Sequence, residues 1–432
     1  MRVATAARIA LRGSPRERYW ALRRQIDRLS GLRRPAARPF ARVVTRDWIR
    51  FMSGTVRPVH GRTRECAEAA AAWLLRAQDA TADGGVSQGY FPCHTTTTTG
   101  WLASYPETTG YIIPTLLEFA TAFRRDDVRQ RALRMAYWEI EVQMASGAVQ
   151  GGTVCAPDRQ VAAVFNTGMV LQGYSAAYRA TGEARLLEAG RRAADFLVAD
   201  MDDDGHFRSH GAFVVQHLVK TYNCLCGWAL WQFAEDSADE RYTKVAIRAA
   251  EAALGQQRPN GWFANNCLAD PDAPLSHTIG YTLQGILEIG ILAGRDDLVA
   301  AASRGVAPLL RRINPSGFLA GCFFSNWEPA TFSSCLTGNA QLAVVCYRLY
   351  EATGQAEYRA AADRLIDYLK ALQVLTSPDP GINGAIGGSF PLFGSYMTAG
   401  YPNWATKYFL DGLLLQERLS KAAGVSGLGA PR

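Results

Sequence analysis

The chain has 432 residues, of which 48% are hydrophobic and 20% charged, a composition typical of a globular protein with a large core. No run of about 18 uncharged apolar residues occurs, so we expect no membrane-spanning helix. The net charge of +7 arises in residues 1–50, which hold fourteen arginines and three acids, and the remainder is slightly acidic. We therefore expect no nucleic-acid partner.

The arginine-rich segment is predicted as an N-terminal arm, residues 1–55, with an amphipathic helix beginning at Arg18. Three interpretations remain open: a basic helix on an anionic membrane surface, a transit peptide, or an arm that is solvated or docks on its own domain. A secretory signal is not expected, because no apolar run follows the early arginines. Residues 56–422 are predicted as one domain and residues 423–432 as a flexible tail.

The nine cysteines form an odd set without paired Cys-x-x-Cys spacing. Most of them, including Cys335 and Cys346, stand among apolar residues. This pattern favours free, buried thiols in a reducing compartment. We therefore expect a cytoplasmic protein, peripheral to the membrane if the arm binds lipid.

Beyond the arm, helical segments occur in pairs whose first member is amphipathic and whose second member is apolar nearly all round. The predicted pairs are 62–79 and 107–123, 125–145 and 162–181, 183–199 and 217–235, 238–256 and 276–293, 295–312 and 332–353, and 355–373 and 403–420. Half-exposed helices that alternate with buried ones indicate an outer ring around an inner ring. Short polar turns, such as that at Thr181, predict antiparallel neighbours.

A glycine followed by apolar residues recurs six times, each time just after an amphipathic segment. The copies are Gly84-Gly85-Val86, Gly147-Ala148-Val149, Gly205-His206-Phe207, Gly261-Trp262-Phe263, Gly317-Phe318-Leu319 and Gly384-Ala385-Ile386. Repetition at such a period indicates units that bury their faces only against neighbours. Six units predict an all-α fold, a closed ring of six helical hairpins with short strand-like loops on one side.

The segment Trp73-Leu-Leu-Arg-Ala-Gln-Asp, followed by Gly84-Gly85, carries a resemblance. It is similar to the (α/α)6 toroid of six-hairpin glycosidases, several polysaccharide lyases and the C-terminal domain of glucuronyl C5-epimerases. It also resembles, more distantly, the Gln-and-Trp repeats of terpene cyclases and prenyltransferase β-subunits. The resemblance covers the repeats from about residue 62 onward, and it implies the toroid fold and a carbohydrate-active enzyme.

In such a toroid the inner helices run in the same direction, so their N-terminal ends gather at one mouth, where unpaired N–H groups favour anions. Aromatic and polar residues cluster at these helix starts and in the preceding loops. The predicted substrate-binding residues are Tyr105, Tyr111, Asn166, Arg208, Lys220, Trp262, Asn339, Tyr401, Asn403, Trp404 and Lys407. Helix capping and core packing are the alternative explanation.

The predicted catalytic residues are Glu107, His277, Tyr281 and Tyr222. Glu107 is the carboxylate at an inner-helix start, although it could simply interact with the helix dipole. His277 and Tyr281 share one helical face at i, i+4 and could transfer a proton, or His277 could be a hydrogen-bonded core residue. Two carboxylates further from the helix starts, Asp270 and Glu328, are candidates for the second acid that a hydrolase would need.

Two other motifs are discounted. Asp200-Met-Asp202-Asp203 resembles the acidic motif of class II terpene cyclases and the first half of a calcium loop, but its position before Gly205 favours a turn. No metal-binding, phosphate-binding or dinucleotide-binding signature is present, so we expect no cofactor and no metal.

These features predict an enzyme that acts on a uronate-bearing oligo- or polysaccharide. Proton abstraction at C5, by lyase or C5-epimerase chemistry, is expected first, and hydrolysis second. Two alternatives are an isoprenoid enzyme with a closed apolar pocket and a non-catalytic glycan-binding toroid.

Overall fold

A computed structural model describes residues 38–93, 97–211 and 219–427. The helix predicted from Arg18 lies outside these residues. Within them, twelve helices form two concentric rings, and the predicted toroid is confirmed. None of the described helices is long and apolar enough to cross a membrane.

The six outer helices are α2 (Thr63–Asp79), α4 (Asp126–Val142), α6 (Ala184–Asp200), α8 (Arg241–Gly255), α10 (Asp296–Leu310) and α12 (Ala356–Leu372). The six inner helices are α3 (Pro106–Phe123), α5 (Val164–Thr181), α7 (Cys224–Ser237), α9 (Ser276–Ala293), α11 (Leu336–Thr353) and α13 (Asn403–Gly427). Most bounds agree with the sequence pattern to within a few residues. The largest differences are at the start of α7, which a 3-10 turn at Thr221–Asn223 precedes, and at the end of α13.

The apolar pattern of each helix decides its ring. In α6 the buried residues recur at helical spacing, as at Leu186, Ala193 and Leu197, so one stripe faces the inner ring. In α9 every residue from Ser276 to Gly290 is buried, because neighbouring helices cover all its sides. Burial of these faces supplies the main driving force for folding.

The ring closes between its two ends. Each inner helix packs against the next, α13 packs against α3, and the first outer helix α2 packs against the last inner helix α13. Trp73 on α2 donates its indole N–H to the carbonyl of Gly381, 2.8 Å away. At the mouth, strand β1 (Gly89–Tyr90) pairs antiparallel with β4 (Tyr401–Pro402), and β2 (Ser334–Cys335) pairs with β3 (Ser389–Phe390).

The six repeat glycines lock neighbouring units together. Gly84, Gly147, Gly205, Gly261, Gly317 and Gly384 all have φ between 81° and 104°. This left-handed conformation favours glycine, and at five of the six a Cβ would collide with a backbone carbonyl of an adjacent outer helix. The recurring glycines therefore mark a close contact between neighbouring units.

A glutamine at the end of four outer helices reinforces this contact. Gln78, Gln143, Gln257 and Gln373 each donate from Nε2 to the carbonyl of the repeat glycine that follows. The same amides reach carbonyls of the neighbouring outer helix, at Arg131, Ala189, Ala301 and Cys66. Each buried bond of this kind contributes about 1 kcal/mol.

Two features differ from the sequence-based outline. Residues Arg38–Ser53, within the predicted arm, form helix α1, which packs on the mouth-side loops through Phe40 and Phe51. At the other end, α13 continues to Gly427, into the segment predicted as a flexible tail.

Replacement of Gly261 by alanine should destabilise the ring. Its φ of +84° is unfavourable for alanine, and the new Cβ would collide with the carbonyl of Arg304. We expect a loss of about 3 kcal/mol in the free energy of unfolding, measured by urea titration. Gly182→Ala is the matched control, because Gly182 has φ +71° with no atom within 4 Å. This control should lose about 1 kcal/mol in the free energy of unfolding. Equal losses in the two variants would contradict the close contact between Gly261 and the neighbouring helix.

Candidate active site

A cavity of about 420 Å³ opens at the mouth, where the inner helices begin. It is lined by Gln88, Tyr105, Glu107, Gly152, Thr153, Phe165, Asn166, His210, Tyr222, Asn223, Leu268, His277, Tyr281, Tyr396, Met397 and Trp404. Four inner helices and the loops before them contribute to this lining. The structure therefore brings together all four residues predicted to be catalytic and three predicted to bind substrate, Tyr105, Asn166 and Trp404.

Glu107 is the second residue of α3, directly after Pro106, which starts the helix. Its side chain is buried, and Tyr105 donates its hydroxyl to Oε2 at 2.8 Å. Burial raises the pKa of Glu107 to about 7, and the bond from Tyr105 opposes this shift. A carboxyl group with this pKa carries a proton in much of the population at neutral pH and can act as a general acid.

His277 is the second residue of α9 and is also buried. Its Nδ1 lies 2.8 Å from Oε1 of Gln341, and since an amide oxygen only accepts, Nδ1 carries the proton. Burial lowers the pKa of His277 to about 4, and the bond to Gln341 opposes this shift. Above that pH the imidazole is neutral and its Nε2 can accept a proton.

Aromatic rings form the walls around these two groups. The ring of Phe165 lies 5.3 Å from that of Tyr222 and 4.6 Å from that of Tyr281, measured between centroids. Tyr281 also lies 4.5 Å from the imidazole of His277, as their i, i+4 spacing predicts. Such walls displace water, which is the physical cause of the shifted pKa values of Glu107 and His277.

Another part of the lining is built around Trp404 at the start of α13. Its indole N–H donates to the hydroxyl of Tyr396 at 2.9 Å, and its ring lies 6.2 Å from that of Tyr105. These contacts fix the orientation of a large flat surface that could stack on a sugar ring.

Amides supply further polar groups. Asn166 donates from Nδ2 to the carbonyl of Gln150 at 2.8 Å. Nδ2 of Asn223 lies 3.2 Å from Nδ1 of His210, so the two side chains hold each other in place. Both asparagines stand at inner-helix starts, where the helix dipole favours an anionic group.

Three predicted binding residues hold the mouth together outside the cavity lining. Asn403 donates from Nδ2 to the carbonyl of Ser87 at 2.8 Å and to Thr108 Oγ1 at 2.7 Å. Asn339 accepts from Ser334 at 3.2 Å. Tyr401 in β4 packs against α1, with its ring 6.4 Å from that of Phe40.

Two further predicted residues lie deeper along the axis. The ring of Tyr111 is 5.6 Å from that of Tyr408, which in turn is 6.0 Å from Tyr281. Lys407 lies beneath these rings, 4.0 Å from the Tyr408 centroid, and forms an ion pair with Asp411 at 2.6 Å. Lys407 is therefore paired below the aromatic floor of the cavity.

The remaining three predicted residues lie beside or outside the mouth. Lys220 is buried and donates to the carbonyl of Leu268, a lining residue, at 3.0 Å. The ring of Trp262 packs edge-on against Trp327. Arg208 is exposed and pairs with Asp202, whose Oδ1 also accepts the N–H of His206. These last bonds form the turn that the sequence favours for Asp200–Asp203.

The sequence analysis did not select Tyr396 and Met397, which line the cavity from the loop before α13. This loop lacks helical or strand periodicity, and its path depends on the β2–β3 and β1–β4 pairings. Its aromatic content, in Phe390, Phe393 and Tyr396, was the available signal. No group of three or more potential metal ligands occurs in the described part of the chain.

Comparison with solved structures supports the fold. The chain resembles an unsaturated glucuronyl hydrolase specific for heparin, with a TM-score of 0.65 and 14% identity over 83% of this chain and 98% of that one. It also resembles the unsaturated glucuronyl hydrolase of a Bacillus species, responsible for glycosaminoglycan degradation, with a TM-score of 0.64 and 15% identity. That match covers 82% of this chain and 97% of the hydrolase.

A third similar structure is a mutant unsaturated glucuronyl hydrolase from Streptococcus agalactiae in complex with dGlcA-GalNAc6S. Its TM-score is 0.61 at 13% identity, covering 82% of this chain and 91% of that one. No protein-family model matches the sequence, and no characterised protein matches it significantly. At these identities the similarity establishes the (α/α)6 toroid fold.

The burial of Glu107 should make the free energy of unfolding depend on pH. Unfolding returns its pKa from about 7 to the usual 4.5, so the folded state binds the proton more tightly. This contribution to stability is complete below pH 4.5 and is lost as the pH rises to 7, a change of about 3 kcal/mol. The Glu107→Gln variant has no carboxyl group at this position, so its free energy of unfolding lacks this pH-dependent contribution. Urea titrations should therefore show that the free energy of unfolding of the variant rises by about 3 kcal/mol relative to that of the wild type between pH 4 and pH 8. A gap that does not change with pH would contradict the buried, protonated carboxyl group.

Proposed function

We propose that this protein is a carbohydrate-active enzyme that hydrolyses a uronate-bearing oligosaccharide, with Glu107 as general acid. The observation that carries the proposal is a buried carboxyl group beside aromatic rings at the mouth of the toroid, with its pKa raised by burial to about 7. The similarity to glucuronyl hydrolases supports hydrolysis ahead of elimination or C5 epimerisation, which reverses the order expected from the sequence.

The number of carboxylates in the cavity bears on the type of substrate. Glu107 is the one carboxylate among the described lining residues. The two other carboxylates considered from the sequence lie elsewhere: Asp270 is exposed, and Glu328 pairs with Arg312. Hydrolysis of an ordinary glycosidic bond usually uses two carboxylates. An unsaturated uronyl residue is an enol ether, and its hydration needs one general acid and a water molecule. We infer that the substrate ends in an unsaturated uronyl residue.

The two titratable groups stand on opposite walls. Glu107 begins the first inner helix and His277 the fourth, so they are half a turn apart around the six-helix ring. Glu107 would protonate C4, which leaves positive charge on C5 and the ring oxygen. Water would add to C5 and give its proton to His277 Nε2. The hemiketal at C5 would open to a ketone, which leaves C1 as a hemiacetal. That hemiacetal would collapse to an aldehyde and release the remaining oligosaccharide as an alcohol.

The walls supply binding rather than chemistry. Trp404 and Tyr105 offer aromatic faces for a sugar ring, and Phe165 and Tyr222 form a second aromatic pair in the cavity lining. The substrate carboxylate would meet the side chains of Asn166 and Asn223 and the positive ends of the inner helices. A floor of tyrosine rings closes the cavity, which suits cleavage at a chain end.

The alternatives gain less support from the site. An isoprenoid enzyme would need an apolar pocket, whereas Glu107, His277 and two asparagines converge here. A glycan-binding protein without activity would not require the opposed pKa shifts of Glu107 and His277.

Replacing the general acid should abolish turnover. We expect Glu107→Gln to lower kcat on an unsaturated uronyl disaccharide by about a thousandfold, with a small effect on KM. Loss of the vinyl proton of the unsaturated residue is the readout. Glu118→Gln is the control for the same substitution, because Glu118 lies on the same helix, away from the cavity, with its side chain half exposed. Comparable losses in both variants would contradict the role of Glu107.

The pH profile should be bell-shaped. Turnover requires protonated Glu107, so kcat/KM should fall as the pH rises through about 7. It also requires neutral His277, so kcat/KM should fall as the pH drops through about 4. His277→Gln should lower kcat at all pH values and remove the acidic limb. If that limb persists in an active variant, His277 is not the base.

A further inference from the structure

Helix α1 presents an outward face that covers nothing in the described structure. Ile49 and Met52 lie one turn apart on this face, with 62% and 67% of their surface exposed. They are the two most exposed large hydrophobic residues in the described part of the chain. Apolar residues scattered singly over a surface are normal, whereas neighbouring ones on a single helix face form an apolar patch that is a candidate interaction surface.

The same face is basic. Arg42 and Arg46 are exposed two turns and one turn before Ile49, respectively. Arg46 lies 3.3 Å from Asp47, yet 43% of its side chain remains exposed. Asp47 is the single acid of α1 and is buried, so the outward face carries positive charge beside apolar side chains.

The sequence before α1 has the same character. Residues 1–37 contain ten arginines, no lysine and two acids, and they lead directly into the first turn of α1. A protein-binding surface would not need this excess of one charge. Positive charge next to exposed aliphatic residues on a helix matches the requirements of an anionic lipid surface, where arginines meet phosphates and apolar side chains enter the acyl boundary.

The inner face of α1 fixes where this surface lies. Phe51 packs against Phe332 and Phe390, with centroids 5.9 and 6.0 Å apart, and Phe40 packs against Phe393. All three partners belong to the loops that precede the inner helices α11 and α13. Helix α1 is therefore attached to the mouth end of the toroid.

We propose that the outward face of α1 docks on an anionic membrane, with Ile49 and Met52 inserted at the lipid boundary and Arg42 and Arg46 at the phosphates. Docking holds the mouth of the toroid at the membrane. If the proposed hydrolysis is correct, on which this last step rests, the glycan substrate is one that is held or delivered at the membrane surface.

The test is co-sedimentation of the full-length protein with vesicles of phosphatidylcholine containing 30% phosphatidylglycerol, at about 0.1 M salt. The wild type should pellet with these vesicles, and binding should be lost on pure phosphatidylcholine. The double variant Ile49→Glu/Met52→Glu should bind at least about tenfold more weakly, because it adds two negative charges and removes the inserting side chains.

Leu292→Glu is the matched control, since Leu292 is an exposed aliphatic residue at the far end of α9, 39% exposed. It should bind vesicles as the wild type does. Turnover of a soluble oligosaccharide should be unchanged in all variants, which separates lipid docking from the proposed reaction and also reports folding. The proposal is overturned if the wild type ignores anionic vesicles, or if the double variant binds them as tightly as the wild type.

Discussion

The architecture depends on the close contact between each repeat glycine and an adjacent outer helix. At Gly147, Gly261 and Gly384 a side chain would occupy the position of a neighbouring backbone carbonyl, so the spacing of the outer helices is set by the absence of a Cβ. The glutamines bind across the same contact, and Gln373 repeats it between the last outer helix and the first, at Cys66. The ring therefore closes with the same bond that joins three pairs of its consecutive outer helices. Since each unit is covered only by its neighbours, closure leaves no exposed apolar end.

A closed ring determines the chemistry of its mouth. All inner helices start there, so side chains at the first turn converge and lose their water together. This shared burial moves the pKa of Glu107 up and that of His277 down, and Tyr105 and Gln341 limit but do not cancel the shifts. One environment thus produces an acid that keeps its proton and a base that lacks one. The physical origin is desolvation, since no charged side chain is the main cause of either shift.

The sequence predicted the ring because its signals are local and repeated: helical periodicity, a glycine at each turn, and polar residues at each inner-helix start. It also predicted the convergence of Glu107, His277, Tyr281 and Tyr222. It could not separate lining residues from those just behind them. Asn403 and Lys407 stand one turn apart on α13, yet one ties the mouth together and the other pairs with Asp411 beneath the tyrosine floor. Such differences depend on helix rotation and on loops whose paths follow from strand pairing between distant repeats.

The most direct test of the proposed activity is proton NMR of the wild-type protein with saturated and unsaturated uronate oligosaccharides in D2O. The account predicts loss of the vinyl proton of the unsaturated residue together with release of the rest of the oligosaccharide, while the saturated oligosaccharides stay intact. Deuterium at C5 of an uncleaved chain, or an unsaturated uronate formed from a saturated one, would contradict it. Either result would assign the site to proton abstraction, with Glu107 or His277 acting on C5 instead of protonating C4.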